Sequence, residues 1–141
     1  MEKKENNMTN WVADIESLHE KFKVYGVVEA MDKEKLYQML LFKKRFLDEE
    51  LAEMQTAIEE KNPESIVDAL IDLCVVAIGT LDVFNIDSEK AWDIVQNANM
   101  SKLVGVNASR PNTLGLPDLI KPEGWVSPSH KDNIGLLECI F

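Results

Sequence analysis

Two groups of acidic residues stand where acids are costly. Glu49, Glu50 and Glu53 fall late in a long helical run whose apolar stripe is Leu36, Leu40, Leu47, Leu51, Met54 and Ile58. At 100° per residue Glu50 lies inside that arc and Glu53 at its edge, while Glu49 points further out. Phe46 and Lys43, one and two turns before Glu50, share this side. Ionised carboxylates are unwelcome on a core face unless something pairs with them; an i, i+3 glutamate pair also fits an ordinary solvated edge. The next run, Ile66 to Leu81, is apolar on nearly every side, and its charges are Asp68 and Asp72. Aspartate is a poor helix former, yet two occur at i, i+4 and so share one face. They read either as buried structural aspartates or as ligands. Gly79, two turns after Asp72, leaves room for close approach by a helix or a ligand.

An antiparallel hairpin turning at Asn62-Pro63 sets the two acidic pairs at similar height. Four carboxylates converging in an apolar interior would repel by several kcal/mol without counter-charge. Hard divalent cations that prefer oxygen are the natural remedy, and the lack of nearby cysteine or histidine points to Mg²⁺, or Mn²⁺, over zinc. Mg²⁺ held by carboxylates retains waters and binds substrate phosphates. Further on, Asn99 and Lys102 project from one helix face at i, i+3 as an amide and an ammonium able to contact phosphate. Lys102 equally fits a helix-terminal lysine favoured by the macrodipole, and Asn99 an ordinary surface residue near a helix end.

The elements that must position these groups are helices. The spacing predicts an all-α fold, an antiparallel bundle of four main helices with an irregular C-terminal tail. Thr9 is expected to cap a first helix with Trp11, Val12, Ile15, Leu18 and Phe22 on one stripe, ending near Tyr25-Gly26. A second helix runs from after Asp32 to about Lys61, roughly 40 Å of rod. A third runs from Pro63, with Asn62 as cap, to about Phe84, central and largely buried. The fourth, capped by Asp87, reaches about Leu103, and its buried stripe is Trp92, Val95, Ala98 and Asn99. Residues 1–104 form the helical domain, and 105–141, rich in proline and glycine, an extended tail with turns, part of that domain or a clasp on a second subunit.

Composition narrows the function. At 141 residues one domain is expected, and a net charge of −10 disfavours nucleic acid and membrane surfaces as partners. Cys74 and Cys139 make no disulfide or zinc framework. The polar start has no secretion signal, and Asp68, Asp72 and Asp82 interrupt the longest apolar stretch, so a soluble cytoplasmic protein follows.

The ordered set Glu49-Glu50-Leu51-Ala52-Glu53, Asp68-Ala69-Leu70-Ile71-Asp72 and Asn99-Met100-Ser101-Lys102 resembles the all-α nucleoside triphosphate pyrophosphohydrolase superfamily, which includes MazG proteins, dimeric dUTPases and phosphoribosyl-ATP pyrophosphohydrolases. A MazG-like branch is most similar, with His19 and Phe22 as its opening His-x-x-Phe pair. The likeness covers roughly Asn10 to Lys102 and, weakly, Lys121-Pro122-Glu123-Gly124-Trp125. E-E-x-x-E alone is a weak signal; the ordered set on successive helices is more specific. One departure is plain: where the superfamily usually has E-x-x-D, this chain has Ala69 three residues before Asp72, and Asp68 stands at i−4.

The resemblance implies hydrolysis of a nucleoside triphosphate between its α- and β-phosphates, giving a monophosphate and pyrophosphate. It implies metal ligation by Glu50, Glu53 and Asp72, with Asp68 in place of the missing glutamate, and Glu49 or Glu50 as the base for the attacking water. Asn99 and Lys102, with Lys43 or Arg45, would contact the leaving pyrophosphate, and His19, Phe22 and Trp92 would line the base pocket. Phe22 and Trp92 fit plain core positions equally well, and His19 a satisfied core histidine. A homodimer or homotetramer is expected, because a lone hairpin would leave the third helix partly exposed. The rival from another class is a non-catalytic helical adaptor or oligomerisation module whose acidic face docks a partner; it leaves unexplained why the acids sit on apolar arcs. A di-iron carboxylate bundle needs Glu-x-x-His, which neither His19 nor His130 supplies.

Overall fold

The computed structural model describes residues 9–141 and is mostly helical. Its helices are α1 (Trp11–Phe22), α2 (Val24–Glu29), α3 (Lys33–Glu59), α4 (Pro63–Val83) and α5 (Ser88–Met100); strands β1 (Leu103–Gly105) and β2 (Asp118–Ile120) and a 3₁₀ turn at Gly135–Cys139 follow. The chain forms two compact units, residues 1–88 with 134–141, and residues 89–133.

In the first unit the caps explain the boundaries. Asp32 and Asn62 begin α3 and α4 as the sequence indicated, their side chains accepting from the N–H groups of Lys35 (2.9 Å) and Ser65 (3.1 Å). At α1 the cap is Asn10, not Thr9, and its side chain accepts from the N–H of Ala13 at 3.0 Å. The expected continuous first helix is broken: Lys23 adopts a left-handed conformation, φ 56°, and the chain restarts as α2 in a new direction. The α3–α4 turn is a Schellman closure, with Asn62 N–H donating to Ala57 C=O (2.9 Å) and Lys61 left-handed at φ 54°. Ala57 and Ala69 are buried either side of it.

The core of this unit joins Val28 of α2, Leu36 of α3, Val83 and Phe84 at the end of α4, and Ile140. It gathers at the end of the hairpin far from the turn. The C-terminal segment, expected to be extended, instead returns through the 3₁₀ turn: Leu136 N–H donates to Phe84 C=O at 2.7 Å, and Ile140 is buried. A Cβ at Gly135, φ 50°, would sit 2.0 Å from that carbonyl, so glycine is what permits the approach.

The third predicted helix is not largely buried. α4 buries Ala69, Gly79 and Val83 but exposes Val67, Leu70, Ile71 and Val75, because a single chain supplies partners for only part of its circumference.

In the second unit α5 begins directly after Asp87, where a cap was expected, and ends at Met100. Strands β1 and β2 pair antiparallel, with Leu103 opposite Ile120 and Gly105 opposite Asp118. Three-residue strands give too few alternations to show in a sequence, so this ladder was not anticipated. Arg110 holds Asp118 through both carboxylate oxygens, at 2.7 and 2.9 Å from Nη2.

Candidate active site

Glu50 and Glu53 occupy the second half of α3, and Asp68 and Asp72 the first half of α4, so the close packing of these two helices brings the four acids to the half of the hairpin nearer the turn. Glu50 is half-buried, and its Oε2 has no hydrogen-bond partner. Its carboxyl is held above the usual carboxylate range, first by desolvation and then by the negative charges of Glu53 and Asp72, with a smaller part from Asp68. Electrostatically, then, Glu50 is the centre of the cluster. Glu49, Glu53 and Asp68 are exposed and Asp72 is half-buried.

Among the described residues no group of three or more His, Cys, Asp or Glu side chains stands close enough to form a ready-made metal cage. The acids feel one another without being gathered. An all-oxygen donor set with an orphaned buried carboxylate oxygen nevertheless fits a hard divalent cation, which removes both the desolvation cost and the repulsion. At the departure from E-x-x-D, Ala69 is buried, 3% exposed, while Asp68 is open to solvent and within the field of Glu50.

Lys43, two turns before Glu50, is half-buried with its Nζ 5.9 Å from the centre of the Phe46 ring, and desolvation lowers its pKa. Arg45 is exposed and lies over Phe42, 5.6 Å from the ring centre.

The expected base-pocket residues differ in their surroundings. His19 is buried on α1, its Nδ1 2.5 Å from Asp82 Oδ2, and the same oxygen accepts from the Tyr25 hydroxyl at 2.7 Å. Burial and the Asp82 bond hold that hydroxyl in its protonated form. The neighbour at Gly79 is His19: a Cβ there would lie 3.5 Å from His19 Cε1, an ordinary van der Waals contact, so this packing does not require glycine. Asp82 is ten residues beyond Asp72, about 15 Å along the helix. Phe22, expected on the buried stripe of α1, is 64% exposed, because His19 takes the inward position. Trp92 is 71% exposed where a buried stripe was expected. It belongs to the second unit with Asn99 and Lys102, whose side chains bond to each other: Lys102 Nζ donates to Asn99 Oδ1 at 3.1 Å.

Sequence reasoning did not single out Tyr25 or Asp82. The signal for Asp82 was present, as a third aspartate in an otherwise apolar helix. A concavity of about 570 Å³ at the start of α3, lined by Asp32, Lys33, Tyr37 and Phe141, holds none of the candidate residues.

The site is thus a helical hairpin carrying acids from both arms around one desolvated glutamate. The phosphoribosyl-ATP pyrophosphohydrolase family model matches residues 18–99, well over half of the chain. Comparison with curated proteins and with solved structures gives no match. The chain belongs to the phosphoribosyl-ATP pyrophosphohydrolase family, within the MazG-like superfamily, and its activity class is pyrophosphohydrolysis of nucleotide substrates. Among the described residues no helix is long and apolar enough to cross a membrane.

Proposed function

We propose that the protein is a Mg²⁺-dependent nucleoside triphosphate diphosphatase, cleaving (d)NTP to (d)NMP and pyrophosphate at the Glu50 cluster. The observation that carries this is the desolvated Glu50 carboxyl, orphaned at Oε2 and surrounded by the charges of Glu53, Asp72 and Asp68. Glu50, Glu53 and Asp72 would hold the cation, with Asp68 as the fourth oxygen donor; Mn²⁺ suits the same donors. When bound, the cation supplies positive charge against the phosphates and acidifies water. Glu49, exposed beside the cluster, takes the proton of the attacking water as its oxygen bonds to the α-phosphorus, and the bridging P–O bond breaks to release pyrophosphate. Glu50 is the alternative base while it is free of metal. Mutual repulsion and desolvation keep these acids poised for a cation instead of a lysine, since the half-buried Lys43 is two turns away.

The exposed apolar face of α4, Val67, Leu70, Ile71 and Val75, with Leu51 and Ile58 of α3, supports a homodimer or homotetramer in which that face is covered. An adaptor would use the acids for docking without hydrolysis. A panel of canonical, deoxy and modified triphosphates together with phosphoribosyl-ATP, scored for pyrophosphate release with Mg²⁺ and with Mn²⁺, separates the readings. Release from a triphosphate that vanishes with chelator is expected; no release from any of them with either metal would overturn the proposal.

A further inference from the structure

The second unit holds an arrangement that joins the end of the matched segment, at Ala98 and Asn99, to Ser101, Lys102, Lys121 and Trp125 beyond it. Trp125 is pinned to the end of α5: its Nε1 donates to Ala98 C=O at 3.2 Å and to Ser101 Oγ at 2.9 Å. Lys102 Nζ and Lys121 Nζ lie 5.1 and 5.2 Å from the centre of its indole ring. Both lysines owe their position to the β-ladder. Continuing the register of Leu103 with Ile120 one step sets Lys102 opposite Lys121 at one end of the two strands, and cross-strand neighbours share a face.

Two like charges in a cross-strand pair destabilise a sheet. The indole face offsets part of that repulsion, because its quadrupole attracts each ammonium. Asp118, the acid on the ladder itself, is engaged by Arg110 from both oxygens. Lys102 takes the carbonyl oxygen of Asn99, which turns the NH₂ end of that amide away from Lys102 as a donor. Residues 89–133 hold five basic and five acidic side chains, so the net charge of −10 resides in the other unit and the second unit adds no net repulsion of its own toward an anion.

We propose that Lys102 and Lys121, set by Trp125, form with Asn99 a binding site for a phosphate chain, Trp125 being the positioning residue. The choice of a phosphate chain as ligand rests on the reading of the protein as a triphosphate hydrolase; the paired ammonium groups require only a compact polyanion.

The test titrates inorganic tripolyphosphate into the full-length protein in Mg²⁺ buffer by calorimetry. The parent is expected to bind, Lys121→Gln to weaken binding about tenfold or more, the loss of one charge-assisted contact, and Lys121→Arg to stay near the parent. Trp125→Leu should weaken binding with the fold intact by circular dichroism, and Trp125→Phe, which keeps an aromatic face, should recover part of it. No binding by the parent, or an equal Kd in Lys121→Gln, overturns the site; an equal Kd in Trp125→Leu removes the positioning role. The two proposals fail separately. Absence of pyrophosphate release from every nucleotide, with tripolyphosphate binding still dependent on Lys121, would sink the hydrolase reading and leave this site standing.

Discussion

Glu50 concentrates the chemistry in one side chain. Its folded carboxyl titrates above the ordinary glutamate value of 4.5, so across the window between that value and the folded one the native state binds more protons than the unfolded state. Stability of the metal-free protein therefore falls as pH rises through that window. Glu50→Gln removes the penalty: without metal it should melt a few degrees above the parent at pH 7, with the gap closing below pH 4.5, while turnover drops about a hundredfold or more. A thermal melt series against pH, beside a turnover assay, checks both. Asp68 can be judged by a double mutant. If it ligates the cation, Asp68→Asn and Asp72→Asn each weaken Mg²⁺ binding and their combined loss is strongly non-additive, whereas independent structural aspartates sum to within about 0.5 kcal/mol. Ala69→Glu restores the usual E-x-x-D spacing but puts a carboxylate at a buried position, and should cost about 2 to 4 kcal/mol in chemical denaturation. Full recovery of that loss by Mg²⁺ would place side chain 69, and not Asp68, at the cation.

Among the elements, the hairpin of α3 and α4 does most of the positioning, and its ends are held by local rules. Lys61 adopts a left-handed conformation that costs an L-residue about 1 kcal/mol, so Lys61→Gly should raise the denaturation midpoint slightly, by up to about 1 kcal/mol after the added unfolded-state entropy of glycine is subtracted. Gly135 is the converse. A Cβ there meets Phe84 C=O and Asn85 C=O, so Gly135→Ala should release the 3₁₀ turn, withdraw Ile140 from the core and destabilise by about 2 kcal/mol or more. Unchanged stability in equilibrium denaturation would show that the C-terminal segment is not part of the cooperative unit. The triad of His19, Tyr25 and Asp82 ties α1 and α2 to α4, with one aspartate oxygen serving both partners.

Among the described residues, α4 carries one run of exposed apolar side chains, Val67, Leu70, Ile71 and Val75. Val67 and Ile71 are neighbours at i, i+4 on the exposed side of α4, 62% and 46% exposed. If a second copy covers this face, Ile71→Glu should convert the oligomer to monomer in sedimentation or light scattering, because it buries an unpaired charge at the contact. A parent that is monomeric at all concentrations would remove the oligomer from the proposal. Salt should act unevenly: the net charge of −10 resides outside residues 89–133, so screening stabilises the acidic unit against self-repulsion.

The helical class, both arms of the hairpin, the start of α3 after Asp32 and the cap at Asn62 were legible in the sequence, because they rest on periodicity and cap chemistry, local within a few residues; the four candidate acids stand out there as charges set against apolar spacing. What a single turn of chain cannot encode came from tertiary structure. His19 and Phe22 are three residues apart on one stripe, and only packing against Gly79 and Asp82 decided that the histidine turns inward and the phenylalanine outward. An apolar α4 reads as buried on every side, yet sequence does not count how many neighbours one chain can supply. Lys102 and Lys121 are nineteen positions apart, and it took the register of a three-residue ladder to set them on one indole ring, since pairing across a loop depends on the free energy of closing it, to which no periodicity gives access.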